Sequence, residues 1–83
     1  MAMRVKVCFH SYFKDLAGCA ETVEIVPDGS TLGALHEQIV ERFPKLGAMG
    51  KSTLLAVGLD YQPRSHVLKA GDEVSLFPPV QGG

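Results

Sequence analysis

Only one stretch of this chain carries the period of a full helix, and that narrows the folds open to it. Between Leu32 and Phe43, the residues Leu32, Leu35, Ile39 and Phe43 fall on one stripe, while Glu37, Gln38, Glu41 and Arg42 take the opposite side. Thr31 is a good N-cap, because its hydroxyl can accept from an unpaired N–H of the first turn. Pro44 stops the helix, since a residue before proline is pushed out of the α region. Gly33 is a weak point in the first turn. A lone amphipathic helix cannot bury its stripe against itself, so the rest of the chain must supply a sheet beneath it.

The strands for that sheet are legible. Val5, Val7 and Phe9 alternate with Arg4, Lys6, Cys8 and His10, the period of two expected with one face on a core. The Ser11–Leu16 stretch is too short for a full helix and reads as one tight turn built on Tyr12, Phe13 and Leu16, closed by Gly18. Glu21 to Val26 alternates again, with Val23 and Ile25 expected inward, and Pro27-Asp28-Gly29 turns. A connection this short pairs the first two strands antiparallel. Lys45 to Lys51 reads as a loop with Leu46 and Met49 tucked against the body. Thr53 to Val57 is a third strand, Gly58 to Pro63 turns, and a short strand is expected around Ser65 to Leu68. Lys69-Ala70-Gly71-Asp72 turns into a last strand ending at Phe77, with Val74 and Leu76 inward and Ser75 and Phe77 outward.

Strand, strand, helix, strand, short strand, strand is an α+β order, with one sheet of four to five strands and the helix across one face. Right-handed crossover through the helix makes this the β-grasp arrangement, with the first and last strands adjacent and parallel. Residues 1–77 form that domain and 78–83 a flexible tail. On the uncovered face, Lys6, Cys8, His10, Ser75 and Phe77 are expected together, and Phe77 beside Pro78, Pro79 and Val80 makes an apolar patch suited to a partner.

Composition removes several function classes. A formal net charge of −1, with eight basic residues scattered along the chain, speaks against general nucleic-acid binding. No apolar run approaches a membrane span and the N-terminus shows no signal peptide, so the expected location is the cytoplasm. Cys8 and Cys19 lack the spacing and companions of a metal or disulfide framework. His10, His36 and His66 read as surface residues, and the nine carboxylates as solvated faces and turns. No catalytic constellation, phosphate-binding loop or metal cluster is visible, so no cofactor is expected on this chain.

The remaining chemistry is in the ending Pro78-Pro79-Val80-Gln81-Gly82-Gly83. Two prolines have no N–H to donate, so the last strand cannot continue past Phe77. In a polyproline-like conformation these residues reach about 19 Å, enough to enter another protein's active site. Gly82 and Gly83 lack a β-carbon, so they can thread a narrow channel and leave the terminal carbonyl open to attack. A carboxylate is a poor electrophile at neutral pH and needs activation, ordinarily as an acyl-adenylate. With no nucleotide site visible here, another protein must supply one.

The run Gly71-Asp72-Glu73-Val74-Ser75-Leu76-Phe77-Pro78-Pro79-Val80-Gln81-Gly82-Gly83 resembles the ending of the MoaD family, within the MoaD/ThiS group of ubiquitin-like sulfur carriers. Weaker support comes from Phe13-Lys14-Asp15-Leu16-Ala17-Gly18 and Leu55-Ala56-Val57, so the resemblance spans essentially the whole chain. The double proline favours MoaD over thiamine-type carriers. The resemblance implies the small subunit of molybdopterin synthase, a protein co-substrate within a heterotetramer rather than an enzyme alone. An E1-like partner of the MoeB type would adenylate Gly83 with Mg-ATP, and a desulfurase or rhodanese-type donor would convert it to a thiocarboxylate. A MoaE-type large subunit would then receive the tail and pass sulfur to cyclic pyranopterin monophosphate. Phe77, Pro78, Pro79, Val80, Gln81, Gly82 and Lys14 would form the partner-binding set.

Lys14 stands where that family commonly has Arg, which affects any bidentate contact, and Gly58 replaces a frequent Asn. The alternatives are a sulfur carrier for tRNA thiolation or thiamine, a ubiquitin-like modifier joined to lysines through Gly83, and an interaction domain with an inert tail.

Overall fold

The computed structural model describes residues 1–48 and 52–79, and among them five strands join in one mixed sheet. The strands are β1 (Ala2–Phe9), β2 (Glu21–Pro27), β3 (Leu54–Val57), β4 (Asp60–Tyr61) and β5 (Glu73–Phe77), in the spatial order β2-β1-β5-β3-β4. Two helices, α1 (Phe13–Ala17) and α2 (Leu32–Arg42), and a 3-10 helix over Pro44–Ala48 complete the described elements. The central pair, β1 with β5, is parallel from Lys6↔Glu73 to Phe9↔Leu76, and the other pairs are antiparallel. Parallel neighbours need a crossover connection, and α2 lies within it. This is the ubiquitin-like β-grasp fold. Among the described residues, its sheet bears the helix on one face only.

The covered face is where the core sits. Val5, Val7 and Phe9 of β1, Val74 and Leu76 of β5 and Leu55 of β3 meet Leu32, Leu35 and Ile39 of α2. Phe13 of α1, Leu46 of the 3-10 helix and Leu68 close the ends. Phe43 caps α2 and packs edge-on against Phe9, with ring centroids 5.4 Å apart. Gly18, in the left-handed conformation, ends α1 by donating its N–H to the Lys14 carbonyl at 2.9 Å.

The start of α2 is fastened by more than its cap. Thr31 Oγ1 accepts from Ala34 N at 3.2 Å, while the N–H groups of Leu32 and Gly33 donate to the carbonyls of His66 and Arg64, each at 2.8 Å. Residues 64–68 therefore lie as a strap across the helix N-terminus, satisfying donors that have no partner within the helix. Gly33 is what allows the approach. A β-carbon there would stand 3.1 Å from Arg64 Cβ and 3.2 Å from the Arg64 carbonyl oxygen. The expected weak point is a close-contact position.

Several expectations are corrected. The inward residues of β2 are Glu24 and Val26, whereas Val23 and Ile25 are 50% and 53% exposed. The register explains this: Val5 pairs with Glu24 and Met3 with Val26, so those side chains share the helix-covered face. Glu24 is accordingly no solvated carboxylate but 2% exposed, bonded by Arg42 and by Gln38 Nε2 at 2.9 Å. Gln38 and Arg42, expected to face solvent only, reach back to the sheet to satisfy it.

The short fourth strand is Asp60–Tyr61, not Ser65–Leu68, because the Gly58-Leu59 turn returns the chain directly against Ala56 and Val57. Of the later segment, only Val67 forms an isolated bridge, to Thr31. His36 is not a surface residue but 4% exposed, with Nδ1 2.8 Å from Arg64 Nη1. Last, the stretch after Phe43 is no loop at its start, since Pro44–Ala48 winds into a 3-10 helix that buries Leu46. Met49 lies outside the described residues.

Candidate functional site

The face without a helix carries the site. Along β1 it presents Arg4, Lys6 and Cys8, followed by His10, and along β5 Glu73, Ser75 and Phe77. The antiparallel register sets Leu54 beside Phe77, Ala56 beside Ser75 and Tyr61 beside Ala56. At one end of this face the Phe77 ring is held on two sides. The His10 imidazole stacks on it, with centroids 4.4 Å apart and planes 12° from parallel, and Tyr61 meets it edge-on at 6.0 Å. Pro78 and Pro79 follow, both half-buried.

The expected cluster of Lys6, Cys8, His10, Ser75 and Phe77 is thus brought onto one face by the β1–β5 pairing. Phe77 is half-buried in an aromatic group rather than standing alone. Lys14 sits exposed on α1, the element entered just after His10. Val80, Gln81, Gly82 and Gly83 lie outside the described residues. Leu54, Ala56 and Tyr61 were missed as members of the face. A partial signal for Tyr61 was the glycine at Gly58, a residue that readily takes the left-handed conformation of a tight hairpin, as it does here at φ +62, and a hairpin there returns Tyr61 to the sheet without announcing which ring it meets. The same conformation suits Gly58 as well as the Asn that the family resemblance led one to expect, since both residues tolerate it.

Electrostatically the face is quiet. Lys6 Nζ lies 3.3 Å from Glu21, whose hydrogen bond and charge hold the ammonium above its ordinary range, with Glu73 adding to the effect. Burial pushes the Cys8 thiol up, against the opposing pull of Lys6, so it is a weaker nucleophile than a free thiol at neutral pH. Among the described residues no group of three His, Cys, Asp or Glu side chains could hold a metal ion. What this arrangement can do is dock: an apolar, aromatic end of a sheet, with Pro78 and Pro79 following beside it.

Comparison with known proteins agrees with the geometry. The model of the ThiS family matches residues 9–83. The chain belongs to the ThiS family. A relative from Chlamydomonas reinhardtii, the molybdopterin synthase sulfur carrier subunit, is 32% identical, over 98% of this chain and 100% of that protein. Among solved structures, a putative molybdopterin converting factor subunit 1 from Pyrococcus furiosus superposes with a TM-score of 0.87 at 32% identity, covering 94% of this chain and 99% of that one. A second, from Helicobacter pylori 26695, is a complex of subunits 1 and 2 of molybdopterin-converting factor. It matches with a TM-score of 0.65 at 24% identity, over 98% of this chain and 100% of that one. This ThiS-family chain is a small ubiquitin-like domain, and among its described residues no helix is long and apolar enough to cross a membrane.

Proposed function

We propose that this chain is the sulfur carrier subunit of a molybdopterin synthase, bearing sulfur as a thiocarboxylate on Gly83. The observation that carries the reading is the root of the tail: Phe77 ends a central strand on the open face, within an aromatic group, and hands the chain to two prolines. Near-full-length likeness to relatives of that name supports it, as does a family match that runs through residue 83. The chain is then a protein co-substrate, not an enzyme by itself. An E1-like enzyme would use Mg-ATP to form the Gly83 acyl-adenylate, and a desulfurase or rhodanese-type protein would donate the sulfur. The large subunit would take the tail, with Phe77, Pro78, Pro79, Val80, Gln81 and Gly82 as contacts and Lys14 at the edge. Delivered twice, the sulfur builds the dithiolene of molybdopterin.

Deleting Gly82 and Gly83 tests this directly. Sulfur transfer to cyclic pyranopterin monophosphate should vanish while the unfolding transition stays in place. The intact mass of protein taken from cells should show one oxygen replaced by sulfur. Sulfur reaching only tRNA or the thiamine thiazole, or larger adducts joining Gly83 to lysines, would overturn the molybdopterin reading.

A further inference from the structure

The root of the tail is stiff. Pro78 and Pro79 have fixed φ, and Phe77 and Pro78, each before a proline, are confined to extended backbone, so the chain enters Pro78 and Pro79 in the direction that the end of β5 at Phe77 gives it. Backbone and side-chain rotamer are coupled, and holding the Phe77 ring therefore narrows the directions open to the tail. Two groups hold it, and they differ. Tyr61 belongs to a two-residue strand and is exposed. His10 is anchored: its N–H donates to the Leu76 carbonyl at 3.1 Å, extending the β1–β5 ladder one step past Phe9.

Two further features mark His10. Ser11, the next residue, has φ +57, a left-handed conformation that non-glycine residues seldom adopt, and this turns the chain away immediately after the imidazole. The ring also keeps Nε2 buried with no hydrogen-bond partner. An unsatisfied buried nitrogen is a poor device for stability, and a phenyl ring would stack there without that cost. The stack is thus better accounted for by what it does to Phe77 than by what it adds to the fold.

We infer that His10 is a positioning residue for the carrier reaction, a clamp on Phe77 that pre-aims the tail for the enzyme that activates it. This rests on the carrier reading above. If the clamp loosens, only a fraction of molecules present the tail correctly, and apparent affinity falls by that fraction while turnover of the bound complex is preserved.

The test uses the full chain with His10→Ala, which removes the stack, and His10→Phe, which keeps it. By NMR on the free protein, the ring-current shifts of the Phe77 ring protons should collapse in His10→Ala and persist in His10→Phe. In carrier-dependent ATP–pyrophosphate exchange by the adenylating enzyme, KM for the His10→Ala carrier should rise about two- to tenfold with kcat little changed. His10→Phe should restore it. An unchanged KM, or a matching loss in kcat, would overturn the clamp, and so would unaltered Phe77 shifts. If the wild-type chain supports no exchange at all, the carrier reading fails instead, while the NMR comparison still decides whether His10 holds Phe77. Should His10→Ala not fold, His10→Leu replaces it with the same expectations.

Discussion

Removing the Arg42 guanidinium should expose how the fold accommodates a carboxylate on the core side of its sheet. Glu24 is almost fully buried between β2 and α2, and its partners are Arg42, Gln38 at 2.9 Å and the Thr22 hydroxyl at 3.4 Å. Stripping one partner from a buried ion pair costs about 3–5 kcal/mol. Here the Arg42 side chain is half exposed and Gln38 remains in place, so screening and the surviving hydrogen bond reduce that to about 2 kcal/mol for Arg42→Met. A domain of 83 residues has about 4–12 kcal/mol in total, so the loss is a large share of it. With a urea m-value near 1 kcal/mol/M for so small a chain, the unfolding midpoint should drop by about 2 M. The double variant Glu24→Leu with Arg42→Met removes the stranded charge and should recover to within about 1 kcal/mol of the parent, or exceed it. A single variant within about 0.5 kcal/mol of the parent would refute the reasoning, since the carboxylate would then not depend on its cation. A double variant less stable than the single one would refute it as well.

Two further outcomes concern the strap over α2. Burial, and then the charge of Arg64, hold His36 below its ordinary value of 6.5, with Glu37 opposing. The unfolded chain then binds a proton that the folded chain resists. Stability should therefore be full above pH 6.5 and decline as pH falls below it, by at most about 1.4 kcal/mol per pH unit from this group. Urea midpoints across that range should flatten in His36→Leu, and an unchanged slope would count against the assignment. Gly33→Ala should lower the midpoint, even though alanine is favoured over glycine by about 1 kcal/mol in a helix, because its methyl would press on Arg64. A more stable Gly33→Ala protein would mean that the strap yields freely.

The helix stripe, the parity of the first and last strands and the stop at Pro78 were open to reading because each depends on neighbours three, four or two positions away in the chain. Helix α2, the inward Val5, Val7, Val74 and Leu76, and the placement of Phe77 on the open side all follow from such local periods. The second strand shows the limit. Thr22-Val23-Glu24-Ile25-Val26 offers apolar residues at both parities, and only pairing with β1, Val5 against Glu24, decides which side faces the helix. Glu24 can lie inward because Arg42 and Gln38, distant in sequence, come within hydrogen-bonding reach.

The same holds for the aromatic group at the tail root and the burial of His36. His10, Tyr61 and Phe77 come from three separate strand ends, and no spacing in the chain announces that their rings will meet. His36 lies on the helix flank that a strap, itself fastened by backbone hydrogen bonds, happens to cover. Local periodicity determines which elements form, because it acts through adjacent turns and pleats. Which polar groups are enclosed, and which rings touch, was decided only when register and crossover brought remote residues into contact.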